Sequence, residues 1–447
     1  MQRVVDWVWR QRGWKARLGL VAVLAVLLYT GCTAAIWWRR SQAVQRELAR
    51  IRAAGEPTTL EELAAMYRVP EGQKDATELW LKAIDRLQGS DYAAASKGLP
   101  IVETRIHPPA PGEPWAELEA AEGLLKKYSE PVRLLHEAAD AGGVPSYPVE
   151  FRAKVLLPLV RGDGLRRAAS LLALEAHVRA HRGDVRGAAH ALRTIFAVGR
   201  SLERVPSIQA LFTRIQCDGC AVAEIRRLLP ATEFAEDDLS RLQDDLRTSE
   251  YKEGLLRAML GERVAGIAFF KNPSALGVGQ GIDAVWWLWL SSDMESCLKM
   301  QERLIKGVHE SWPRALAEAR ALDQQLKASQ GMREWMTRWL VPGVALAVTP
   351  AAAATARQRC AQVSIGVERY RRKRGTLPER LEQLAPDFLP EVPSDPFTDQ
   401  PLRYRVEGDA YVVYSVGEDG VDDGGKGDEN LKPDVVFRVK TNLKSGK

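Results

Sequence analysis

The segment AYVVYSVGEDG (residues 410–420) is the most informative part of this 447-residue chain, because a β-prone run passes directly into an acidic turn. A second β-prone run, residues 402–406, precedes it, and Glu407-Gly408-Asp409 lies between the two runs. Two short β-prone runs on either side of a glycine-containing turn predict an antiparallel β-hairpin.

The residues that follow this hairpin are unusually rich in carboxylates and glycines. Only Lys426 and Lys432 oppose the acids Glu418, Asp419, Asp422, Asp423, Asp428, Glu429 and Asp434. Carboxylates this dense repel one another unless a cation neutralises them, and glycines let a backbone wrap closely around a small ion. Ca²⁺ accepts roughly six to eight oxygen ligands in loose geometry. The segment therefore predicts either a calcium loop, outside the EF-hand pattern, or a solvated acidic tail.

Residues 360–437 resemble the C-terminal part of the major pseudopilin of type II secretion systems. The matching motifs are Glu368-Arg369-Tyr370, Gly375-Thr376-Leu377-Pro378, Leu381 with Leu384, Asp395-Pro396-Phe397, Pro401-Leu402-Arg403-Tyr404 and Tyr414-Ser415-Val416-Gly417-Glu418-Asp419-Gly420. In that family the last motif opens a calcium loop. The resemblance thus implies calcium ligands at the Val416 carbonyl and at Asp419 and Asp428, with Asp422, Asp423 and Asp434 as looser candidates.

The front of the chain departs from the pseudopilin pattern. Leu24 stands where the family has a glutamate, and some three hundred residues separate this region from the matching module. We therefore expect a borrowed module on another body rather than a subunit that assembles into a pilus.

An uncharged apolar run, residues 18–38, predicts a single transmembrane helix. About 20 apolar residues suffice to cross the hydrocarbon core, and basic residues bracket the run: Lys15, Arg17, Arg39 and Arg40. Trp37 and Trp38 suit a membrane interface. The alternatives are a cleaved signal peptide and a lipoprotein signal that ends at Cys32.

The side of the membrane is weakly specified, because arginines lie on both sides of the run. We expect the short N-terminal tail (1–17) to stay inside and the bulk of the chain to lie outside the inner membrane, where calcium is plentiful. The five cysteines form no disulfide framework. The net charge of +5 comes partly from the juxtamembrane arginines, so no nucleic-acid partner is expected.

The region between anchor and module has the apolar spacing of helices, so we predict a mainly α fold. The expected domains are a juxtamembrane helix (39–55), a helical body (56–355) and a small α+β module (356–440). Thr59-Leu60-Glu61-Glu62 predicts a capped helix start. Residues 171–206 resemble a single tetratricopeptide-type hairpin that turns at Arg182-Gly183-Asp184, and no second copy follows.

Two apolar segments, residues 283–290 and 335–354, are rich in tryptophan or alanine. We predict that both are buried helices rather than second membrane spans. A surface that rests against the bilayer is the alternative.

Candidate catalytic groups are sparse. His177 and His181 share a helix face with Glu175 nearby, but a metal site needs a further well-placed ligand, and we predict a polar helix flank. Cys217 and Cys220 have CxxC spacing without a second pair. The sequence predicts a non-enzymatic, membrane-tethered binding or scaffolding protein of the cell envelope. The alternatives are a component of a type II secretion system and an envelope hydrolase.

Overall fold

The computed structural model describes residues 14–102, 107–149, 161–272, 284–328, 334, 336–408, 410–427 and 434–440. The described helices are α1 (Trp14–Ala53), α2 (Leu60–Tyr67), α3 (Thr77–Asp85), α4 (Ser90–Ala95), α5 (Leu118–Lys127), α6 (Ser129–Ala141), α7 (Gly162–His181), α8 (Val185–Arg200), α9 (Ile208–Leu228), α10 (Glu236–Thr248), α11 (Lys252–Lys271), α12 (Ala284–Glu310), α13 (Trp312–Ala328), α14 (Thr337–Ala345) and α15 (Val348–Arg374). The strands are β1 (Arg403–Glu407), β2 (Ala410–Ser415) and β3 (Val435–Lys440). The prediction of a mainly α fold with a small β element is confirmed.

Helix α1 continues without a break from the predicted membrane span into the body. Its most apolar 18-residue window has no buried residue, and Leu28 is 73% exposed. Farther along, Val44, Leu48 and Ile51 are buried in the apolar core. Their spacing of four and three residues places them on one helix face, and α1 packs against α12. The helix therefore continues through residues 42–53, and the juxtamembrane position of this part stays a prediction.

A buried ion pair reinforces this junction. Arg263 on α11 is fully buried and bonds to Glu56, just after α1, at 2.6 Å and to Glu302 on α12 at 3.5 Å. Arg50 on α1 also pairs with Glu302 at 3.3 Å. Removing one partner of a buried ion pair leaves an uncompensated charge. Helix α1 is therefore docked to the body by apolar and ionic contacts.

The chain turns where the sequence predicts. The backbone N–H of Glu62 donates to the Thr59 hydroxyl, and the Glu62 carboxylate accepts from the Thr59 N–H, which completes a capping box at α2. Helices α7 and α8 form the predicted hairpin, with Gly183 at φ +80° and Asp184 capping α8 through the Gly187 N–H. Helix α9 packs against both.

Within the described residues, two stretches are long and apolar enough to cross a membrane: Leu18–Ala53 and Thr337–Arg374. In the second, 61% of the most apolar window is buried, because α14 and α15 pack against the body. The predicted burial of residues 335–354 holds for most of this segment but is wrong for Trp339 and Leu346, which are 57% and 68% exposed. For the tryptophan-rich segment 283–290, only the course of α12 from Ala284 is described.

The C-terminal strands form one antiparallel sheet in the order β1-β2-β3. The predicted hairpin is confirmed, with Tyr404 opposite Val413; Asp409 of its turn lies outside the described residues. Strand β3 was not predicted, and it pairs with β2 so that Phe437 lies opposite Val413. The acidic segment therefore connects two paired strands.

Helix α15 joins the sheet to the helical body. Both β2 and β3 pack on α15, and the Tyr411 hydroxyl donates to the Ser364 carbonyl at 3.0 Å. On its other sides α15 contacts α9, α10 and α13, and one apolar core contains residues from both regions. The domain boundary at residue 356, which falls inside α15, stays a prediction.

Candidate functional site

The start of the acidic loop is fixed by a buried carboxylate from a distant turn. Asp395 accepts hydrogen bonds from the Ser415 hydroxyl at 2.8 Å, the Val416 N–H at 2.9 Å and the Phe397 N–H at 2.9 Å. Arg320 on α13 donates to the Glu418 carbonyl at 2.6 Å. The loop therefore leaves β2 in a defined direction, held by the body on one side and by the Asp395 turn on the other.

The calcium ligands that the resemblance implies most directly lie in different environments. Val416 is buried, while Asp419 is exposed and its Oδ1 accepts from the Val421 N–H within its own turn at 3.0 Å. Asp428 lies outside the described residues.

The looser candidates lie closer together. Asp422 Oδ1 accepts from the Tyr414 hydroxyl at 3.0 Å and from the Gly424 N–H at 2.9 Å. Asp434 is fully buried, and its Oδ2 accepts from the Gly425 N–H at 2.7 Å. Burial raises the pKa of Asp434, as do the nearby carboxylates of Asp423 and Asp422, although hydrogen bonds from the Gly425 and Asp423 N–H groups oppose the shift.

One atom in this group matches the chemistry of a cation site. Asp434 Oδ1 is buried and has no hydrogen-bond partner, and a bare carboxylate oxygen near two further carboxylates would be stabilised by a hard cation. Across the described ranges, however, no three His, Cys, Asp or Glu side chains gather closely enough to hold a metal ion. Asp434 Oδ1 is thus the one candidate ligand atom described above that is buried without a partner, and the described acids alone do not form a metal-binding cluster.

The histidines of α7 do not form a shared site with Glu175. His177 is buried, and its ring nitrogens contact Glu224 Oε1 at 2.6 Å and the Pro109 carbonyl at 2.8 Å. Glu175 instead bonds to His136 at 2.9 Å and to Arg179. Residues two apart on an α-helix point in roughly opposite directions, which explains the separation. The predicted polar flank is wrong for His177, which is a core residue with both nitrogens engaged.

Burial disfavours the thiolate form of both cysteines of the CxxC pair. Cys217 and Cys220 are free thiols on α9, within the helical surroundings that the sequence predicts. Burial raises the pKa of Cys217, and burial raises that of Cys220 to about 11. A thiol that stays protonated is a poor nucleophile and a poor metal ligand.

Sequence reasoning missed a basic cavity of about 470 Å³ between the helical body and the sheet. Its lining includes Arg226 and Arg227 from α9 and Arg438 and Lys440 from β3. Alternation along β3 puts Arg438 and Lys440 on one face of the strand. The sequence VVFRVK alternates apolar and basic residues at its end, which would place both basic residues on one face. This inference requires that the segment first be recognised as a strand.

Comparison with protein-family models, with curated proteins and with solved structures finds no match to this chain.

Proposed function

We propose that this protein is a membrane-tethered, non-enzymatic binding or scaffolding protein of the cell envelope. The observation that carries the proposal is the continuity of α1, which has no buried residue in its apolar window and is docked into the body through Val44, Leu48 and Ile51. An exposed apolar helix of this length costs a large hydrophobic penalty in water and none in a bilayer. The docked continuation would hold the body at a fixed position relative to the membrane.

The proposed topology is a single pass through the inner membrane with the N-terminus inside. The body and the sheet would then lie on the extracytoplasmic side. Calcium is plentiful on this side of the membrane. Because α1 is docked to the body, the body would present a binding surface at a fixed position and would not move on a flexible tether.

Calcium is the proposed ion for the acidic loop. The support comes from Asp434, whose buried Oδ1 has no hydrogen-bond partner and whose neighbours Asp422 and Asp423 add negative charge. Asp434 would supply one ligand. Asp419, Asp428 and the Val416 carbonyl are the further ligands that the pseudopilin resemblance implies most directly, with Asp422 and Asp423 as looser candidates. The ion would order the connection between β2 and β3.

Calcium is expected to raise the melting temperature of the full chain in mild detergent. A bound ion stabilises the folded state by about 2.7 kcal/mol when its free concentration is a hundred times its dissociation constant. Asp434→Asn and Asp419→Ala should each remove the difference between millimolar calcium and chelator, measured by thermal unfolding. Magnesium should substitute poorly, since it demands stricter octahedral geometry.

The matched control for this experiment is Asp237→Asn, which changes an exposed acid on α10 and should leave the calcium effect intact. Unfolding curves of the wild-type chain that coincide with and without calcium would contradict the proposed ion.

A second candidate function is association with a type II secretion system. One contact favours it: Asp395, from the Asp395-Pro396-Phe397 motif, bonds to Ser415 and Val416 of the loop-opening motif. Two motifs that carry the pseudopilin resemblance thus act as one structural unit. Copurification of a pseudopilin with the full chain from detergent-solubilised membranes would support this candidate, and recovery of the chain without any pseudopilin would count against it.

A further inference from the structure

The basic cavity lies where four parts of the chain meet. Residues of the segment 107–110 form one wall, the C-terminal end of α9 forms a second, β3 with Gly427 forms a third, and His177 of α7 completes the lining. About 470 Å³ is within the range of small-ligand sites. The lining residues are His107, Pro108, Ala110, His177, Arg226, Arg227, Gly427, Val436, Arg438 and Lys440.

The charged side chains that line this cavity are all basic. Four of the lining residues are arginine or lysine, two are histidine and none is a carboxylate. Two of these cations already pair with carboxylates that lie outside the lining, Arg227 with Glu224 and Arg438 with Glu407. The space itself is therefore faced by basic donors and by no carboxylate, which favours the entry of an anion. Two cavities of similar size elsewhere in the described part of the chain contain acidic residues in their linings, Asp237 in one and Glu233 in the other, and Lys440 also lines the second.

Contacts behind the lining hold several of these cations in place. Arg227 donates to Glu224 Oε2 at 3.0 Å and to His107 Nδ1 at 2.6 Å. Arg438 donates to the Gly425 carbonyl at 3.1 Å. Buried Glu224 also contacts His177 at 2.6 Å, so one carboxylate below the cavity fixes both an arginine and a histidine of its wall. Donors that are already held in place lose less entropy when a ligand binds.

We propose that this cavity binds a small organic anion that carries at least two negative charges, such as a diphosphate or a polycarboxylate. Arginine forks match carboxylate and phosphate oxygens, and Pro108, Ala110 and Val436 supply an apolar wall for the carbon skeleton of the ligand. This proposal names a ligand class for the binding function proposed above. It depends on that function only in assuming that the protein binds a ligand. Membrane anchoring is tested separately, so failure of one leaves the other standing.

Titration calorimetry on the full chain in mild detergent tests the proposal, with pyrophosphate and citrate as probes and sodium chloride at matched ionic strength as the blank. The wild-type chain should bind at least one of the two probes, and which one binds distinguishes phosphate from carboxylate ligands. Lys440→Gln should weaken that binding about tenfold or more, because a hydrogen bond to a charged group contributes about 1.5–3 kcal/mol.

Lys327→Gln is the matched control, because it removes one positive charge from an exposed position on α13 whose ion pair is with Asp323, four residues away. It should leave the affinity unchanged. Lys440 is exposed on β3, so its substitution should not prevent folding, and an unaltered melting temperature without ligand confirms this. The proposal is overturned if neither probe binds at millimolar concentration, or if Lys440→Gln and Lys327→Gln weaken binding equally. It is also overturned if Arg372→Gln, in the other cavity that Lys440 lines, weakens binding as much as Lys440→Gln does.

Discussion

Replacing Gly261 by alanine is expected to lower the free energy of unfolding by about 3 kcal/mol, the upper part of the usual range for overpacking a filled site. A Cβ atom at this position of α11 would lie far inside contact distance of the Pro206 carbonyl oxygen. A carbonyl of the backbone cannot rotate away as the end of a side chain can, so α11 or the turn before α9 would have to move. Denaturant unfolding of the full chain in mild detergent measures the change.

Gly266→Ala is the matched control, because it lies on the same helix and its Cβ would meet Leu340 Cδ1 at an ordinary contact distance of 3.7 Å. Alanine is favoured over glycine inside a helix by about 1 kcal/mol, so this variant should be as stable as the wild type or slightly more stable. Equal losses for Gly261→Ala and Gly266→Ala would contradict the close packing of α11 on the Pro206 turn.

Asp395→Ala is expected to destabilise the protein by about 3 kcal/mol, because it leaves the buried N–H of Val416 and the hydroxyl of Ser415 without their charged acceptor. The loss should be accompanied by faster amide hydrogen exchange at the start of the acidic loop. Asp387→Ala serves as its control, since Asp387 is exposed and its pair with Arg374 spans 3.9 Å. Surface ion pairs contribute about 1 kcal/mol at most. If the two variants unfold alike, Asp395 does not hold the loop.

Local patterns in the sequence predict much of this architecture. The apolar run 18–38 and the helical spacing of residues 42–53 are sufficient to predict α1, because the length of an apolar run and a 3.6-residue spacing are both read from neighbouring residues. The capping box at Thr59 and the turn at Gly183 are local as well, since each depends on contacts within a few residues. The hairpin of β1 and β2 is likewise a local feature, because a short turn joins its two strands.

The parts that the sequence did not predict depend on contacts between distant residues. Strand β3 follows a long acidic segment, and its pairing with β2 cannot be inferred from local spacing. The sequence predicts a surface position for His177. Its burial depends on contacts with Glu224, on another helix, and with the Pro109 carbonyl. The basic cavity combines Arg226 with Lys440, more than two hundred residues apart in the chain. The ionic junction of Arg263 with Glu56 spans a similar separation.

The central claim is that α1 anchors a folded body to the membrane, and alkaline carbonate extraction of cell membranes tests it most directly. The full chain should remain in the washed membranes. A chain without residues 1–40 should appear in the soluble fraction as a folded protein, because it keeps Val44, Leu48 and Ile51, which complete the core of the body. Release of the full chain by carbonate, or retention of the shortened chain as an integral membrane protein, would contradict the account.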